Sequence, residues 1–277
     1  MGKKLPWMLL TPGLVLLVLF LALPLARIFL PTIFDGQLSF DHYINFFQDE
    51  YNMRIFVRTL KISVIAALIS IVLGVPTAYF ISRCGKAWKS ILMALSMFPL
   101  LTNPVVRSFA WIVILGRTGV INTFLTSTGI LQQPLTLLYT EFSILVGTIY
   151  LFLPIMIITL VGVMENIETD IVEAAETLGA NKLIAFVKVI LPLSVPGIIV
   201  GSVLVFTGSL TAYTTPQLLG GNRNMMMSTF IYQRAMSVGD WTGASVIAAI
   251  MVVTTFIVMK GMNKVAEKLD RREGQDA

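Results

Sequence analysis

Six apolar runs, each close to twenty residues long, follow one another along this chain with only short polar connections between them. A soluble domain of 277 residues has no core large enough to hide six such runs. At 1.5 Å of rise per residue, each matches the roughly 30 Å hydrocarbon layer of a bilayer. In that layer only helices and closed barrels satisfy every peptide group. The runs are continuous and do not alternate in polarity, so they read as helices and not as barrel strands. The expected spans cover residues 6–30, 59–82, 90–115, 141–163, 192–213 and 241–259. Only 13% of the residues are charged, against about a quarter in soluble domains. The fold class expected is therefore an all-α polytopic membrane protein. It forms one domain over residues 1–268, with a charged tail at 269–277 that frays beyond Lys268.

Details of the runs refine this frame. Lys3 and Lys4 precede the first run, yet no small-x-small cleavage site stands near Leu23-Pro24-Leu25-Ala26, so it reads as an uncleaved span. Gly74 and Pro76 lie inside the second, and LTNPVVRSFAW, residues 101–111, interrupts the third. Residues 31–57 make a polar connection with room for a short surface helix. Residues 116–140 form another, with short helices around 122–131, and 214–240 form a loop. Twelve of the twenty Lys and Arg fall at the N-terminus, the Arg83–Lys89 turn, the stretch 165–191 and the C-terminal tail. Positive-inside sorting then puts both termini in the cytoplasm. The net charge of +5 follows from that sorting and implies no nucleic-acid partner; the lipid bilayer is the partner it indicates.

No chemistry stands out in the spans. Cys84 and His42 are the only residues of their types, so neither an internal disulfide nor a His/Cys metal site can form. Cys84-Gly85-Lys86 lacks the upstream glycine and the hydroxyl residue of a phosphate loop. The span interiors carry no Asp or Glu, with Glu141 at an edge, which argues against a proton- or sodium-driven carrier. If the protein works against a gradient, the energy comes from another chain or from an ion, and the bare span interiors disfavour the ion.

The entry point suggested by sequence is a polar island at residues 165–191, with five carboxylates between Glu165 and Glu176. Asp170 is placed as an N-cap with Glu173 as its capping partner, and Gly179 as a left-handed stop. Ala174 and Ala175 leave a short helix without bulk, so a partner surface can approach its backbone. Asn181 can cap a second short helix, and Pro192 marks the turn into the next apolar run.

EAAETLGANKLIAFVKVILP, residues 173–192, resembles the EAA loop of membrane subunits of bacterial ABC importers. That pattern is EAA, three residues, Gly, nine residues, then I-x-L-P; Glu173, Ala174, Ala175, Gly179, Leu191 and Pro192 match, with Val189 in place of Ile. FPLLTNPVVRSFAW and GSLTAYTTPQLLGG look like the spermidine/putrescine group of these permeases, and importers of iron, aminoethylphosphonate and opine-like solutes share similar segments. The resemblance implies the six-helix type I importer permease fold, with Asp170 to Leu178 as a coupling helix. It implies a cytoplasmic ATPase dimer, a second permease subunit and an extracytoplasmic solute-binding protein as partners. The chain itself would be non-catalytic and without a cofactor, since ATP and Mg would be bound by the ATPase.

Polar residues on apolar segments mark a path for solute: Asn103, Thr211, Tyr213 and Thr214, whose alternative use is interhelical hydrogen bonding. Arg107 reads either as a structural cation near the end of its span or as a solute contact. Trp111 and Trp241 read as interface anchors. The Met225–Met227 run lines a gate or packs on the bundle.

Overall fold

The computed structural model describes residues 5–34 and 37–273. The described residues are helical almost throughout; one isolated bridge, Phe34 with Leu38, is the sole β pairing among them. In order the elements are α1 (Leu5–Leu17), α2 (Leu23–Ile33), α3 (Asp41–Gln48), α4 (Glu50–Ser82) and α5 (Lys86–Leu101). Next come α6 (Pro104–Leu115), α7 (Val120–Ser127), α8 (Glu141–Met164), α9 (Thr169–Thr177), α10 (Lys182–Ala185) and α11 (Leu191–Leu193). The chain closes with α12 (Val195–Thr211), α13 (Thr214–Gly220), α14 (Met227–Tyr232) and α15 (Trp241–Glu273). Wide π turns at Val18–Ala22, Phe186–Ile190 and Gln233–Val238 join consecutive helices. Among the described residues five helices are long and apolar enough to cross a membrane. A sixth forms if α12 and the helical segment before it, which meet at 65°, count as one broken span.

Several boundaries differ from the sequence expectation. The second helix begins at Glu50, nine residues before the apolar run, because polar residues fit a helix that has risen out of lipid. The third run is two helices: α5 ends at Leu101 and α6 starts afresh at Pro104. Residues 214–240 hold α13, α14 and a π turn in place of a loop. The last helix continues to Glu273.

The chain divides into two compact units. In the first, residues up to Arg54 together with Phe230–Val253, the segment Leu10–Ile33 buries almost none of its apolar surface, and Phe20 is 75% exposed. That is the surface of a helix whose neighbours are lipid or another chain. Thr32, which is buried, bonds the Phe29 carbonyl and the Tyr43 hydroxyl, fastening the helix end to α3.

The second unit, Ile55–Thr229 together with residues from Thr254 on, is built around α8. Its packing follows membrane rules: glycines let helices come close, since burying Leu against Leu gains little in lipid. Met156 of α8 is fully buried between α4 and α12. A Cβ on Gly74 would stand 2.6 Å from its Cγ, and one on Gly201 would stand 2.6 Å from its sulfur. Gly147 of α8 in turn admits Thr215 and Leu219 of α13. At the start of α8, Glu141 accepts from Arg58 at 3.0 Å and from Lys61 at 2.9 Å, and Arg58 also donates to the Met225 carbonyl. The Met225–Met227 run is buried, with the Met227 amide donating to Thr59, so it packs on the bundle.

Candidate functional site

The polar island folds as two short helices on a sharp turn. α9 starts at Thr169 with extended Glu168 as its cap position, and no side chain caps it. The capping box of Asp170 with Glu173 is therefore not formed: Asp170 is already helical, whereas an N-cap must have a non-helical backbone. It sits instead in the first turn, where its charge still favours the positive helix end. Glu173 and Ala174 are exposed and Ala175 half-buried.

The far end of α9 is a complete Schellman turn. Gly179 has φ +92°, its amide donates to the Glu176 carbonyl at 3.0 Å, and the Ala180 amide donates to the Ala175 carbonyl at 3.0 Å. Asn181 then accepts from the Ile184 amide at 2.8 Å, which caps α10. Leu178, beside the turn, is 90% exposed, and Leu183 is 71% exposed. Leu191 and Pro192 are half-buried in the short α11, and the chain bends two residues after Pro192, at Ser194, whose hydroxyl donates to the Ile190 carbonyl.

Elsewhere in the same unit two helix breaks meet. One separates α5 from α6 at Thr102 and Asn103; the other separates α12 from α13 at Ala212 and Tyr213. A cavity of about 320 Å³ lies there, lined by Thr102, Arg107, Phe152, Thr211, Tyr213 and Thr214 among others. Four of the five pathway candidates thus converge. The fifth, Asn103, does not line the cavity; its side chain accepts from the Val105 amide at 2.9 Å and caps α6.

Arg107 is buried, and its guanidinium donates to the carbonyls of Pro99 at 2.6 Å and Thr102 at 3.5 Å. Its charge is thus held at the negative end of α5, where freed carbonyls need a donor. Thr211 donates to the Thr207 carbonyl of its own helix at 3.0 Å. Sequence reasoning missed Thr102, Phe152 and Gly208. A Cβ on Gly208 would collide with the Phe152 ring, so the glycine makes the room in which that ring lines the cavity. A phenylalanine midway along an unbroken apolar run carries no signal of this. Trp111 packs edge-on against Tyr150, with ring centroids 5.5 Å apart, while Trp241 is 63% exposed.

Broken helices around a small cavity, together with a structured loop between apolar helices, are features of a multi-pass membrane transport protein. Residues 67–271 match the family of binding-protein-dependent transport system inner membrane components, and the chain belongs to that family. It is a permease subunit of an ABC importer, a multi-pass protein of the bacterial inner membrane. It is 32% identical over 237 residues to the spermidine/putrescine transport system permease protein PotB of Haemophilus influenzae, covering 83% of this chain and 82% of that one. The Escherichia coli K12 protein of the same name is 28% identical, covering 80% of each chain. A putative ferric transport system permease protein, FbpB 1 of Haemophilus influenzae, is 26% identical over 88% of this chain but only 38% of its own length. Among solved structures, a bacterial ABC transporter importing the acidic polysaccharide alginate shares the fold, with a TM-score of 0.81 at 19% identity over 95% of both chains.

Proposed function

We propose that the chain forms half of the translocation path of a polyamine importer and is driven by an ATPase subunit seated on α9. The observation that carries this reading is the shape of the island. A nine-residue helix with exposed Glu173 and Ala174 is turned sharply at Gly179 and flanked by bare Leu178. The small side chains let a partner's groove reach the backbone, and the carboxylates supply the polar rim of such an interface. In this reading the chain does no chemistry and holds no cofactor; ATP and Mg belong to the ATPase pair. One docking helix per chain calls for a second permease subunit to seat the second ATPase. An extracytoplasmic solute-binding protein delivers the solute, and the island and both termini lie in the cytoplasm.

Likeness to spermidine/putrescine permeases over some four-fifths of both chains supports a polyamine. The cavity is compatible with one. Its hydroxyls are uncharged, the aromatic side chains of Phe152 and Tyr213 line it, and the charge of Arg107 is engaged by backbone carbonyls. The test is uptake of labelled spermidine by the assembled complex, with labelled ferric ion as the competing solute. Glu173→Lys and Gly179→Asp should each lower uptake at least tenfold and release the ATPase, while the protein stays inserted. Full uptake and full ATPase stimulation in both variants would sink the docking assignment. Uptake of iron and not spermidine would sink the solute.

A further inference from the structure

The basic turn between α4 and α5 has so far served only to orient the chain, but its side chains reach the island. Lys89, near the start of α5, pairs with Glu165 at the end of α8, where the island begins; both side chains are about one-third exposed. Tyr79, in the last turn of α4, lies against Phe186, the first residue of the π turn, with ring centroids 4.8 Å apart. The Arg83 guanidinium stands 5.9 Å from the Tyr79 ring centroid on its own side. α9 packs on α10 and on that π turn. A displacement of α9 therefore passes along the π turn and α11 to the Ser194 bend and α12, and sideways through Phe186 to α4.

We infer that the α4–α5 turn is the fulcrum of the transport stroke: Tyr79 and Lys89 are positioning residues that make α4 and α5 move with the island. This rests on α9 being the ATPase seat and adds the route by which its movement reaches the other helices. The π turn Phe186–Ile190 departs from the regular helical bond pattern, as such turns often do at functional sites, and is the joint that these two contacts hold. The Tyr79 contact and the Lys89 pair brace the island at its two ends. Without them α9 can follow the ATPase while the π turn deforms, and ATP is hydrolysed without solute crossing.

The experiment uses the whole complex in proteoliposomes and reads labelled spermidine taken up per ATP hydrolysed, together with the ATPase retained on purification. Lys89→Glu, Glu165→Lys and Tyr79→Ala should each lower uptake per ATP about fivefold or more while the ATPase is retained in full. The exchange variant, Lys89→Glu with Glu165→Lys, should recover most of the ratio. An unchanged ratio in the single variants overturns the inference. So does a single variant that loses the ATPase, or an exchange variant that keeps the ATPase without recovering the ratio. Failure of the docking assignment itself would appear separately, as ATPase retention unaffected by Gly179→Asp.

Discussion

The island and the cavity are built by opposite means. The hydrogen bonds that shape the island's turns each span five residues or fewer: the Schellman pair at Gly179, the Asn181 cap, the Ser194 hydroxyl on Ile190. The cavity is assembled from segments about fifty residues apart, with Thr102 and Arg107 from one break, Phe152 from α8, and Thr211, Tyr213 and Thr214 from the other break. In the proposed reading, an island that fits an ATPase gains from being locally determined, because its shape then survives movement of the helices joined to it. A solute passage needs the reverse: walls belonging to different helices can separate when those helices tilt.

Substitutions can break that contrast. The largest effect is expected at Gly208. Gly208→Leu drives a branched side chain into the Phe152 ring and the cavity, at about 1–3 kcal/mol of overpacking. Uptake should fall at least tenfold while the ATPase stays bound; loss of ATPase binding instead would mean that cavity and island are not separable. Next comes Arg107→Met, which strips the donor from the Pro99 and Thr102 carbonyls and should cost about 1–3 kcal/mol. A lower midpoint of thermal unfolding in detergent with an unchanged KM is the expected result. A raised or lowered KM at unchanged stability would show that the guanidinium touches solute. The smallest effect separates two helix caps, at about 1 kcal/mol each. Asn181→Ala should weaken ATPase stimulation and leave solute selection alone, because its bond lies inside the island. Asn103→Ala should loosen the start of α6 without altering stimulation, and the reverse pattern would erase the distinction.

The limits of sequence reading follow from the same contrast. The turn at Gly179 and the cap at Asn181 were legible because each is signed by a residue whose backbone or side chain acts within its own turn. The start of α9 was misplaced because Glu168 and Asp170 are both acceptable near a helix N-terminus, and composition does not choose between them. α13 and α14, of seven and six residues, were read as loop, since a test for bilayer-length apolar runs passes over helices that short. Their stability comes from contact, as where Leu219 and Thr215 fill the space left by Gly147.

By itself the sequence determined the apolar membrane runs, the break near Pro104 and the turn at Gly179, since desolvation of a peptide group, a missing N–H and a glycine φ are settled within a few residues. Only the tertiary structure decided which polar groups share the cavity, that Arg107 spends its hydrogen bonds on carbonyls, and that Lys89 and Tyr79 reach the island. Those partners lie on separate helices, and close approach in lipid depends on how small residues across the bundle fit together, which no single stretch of chain encodes.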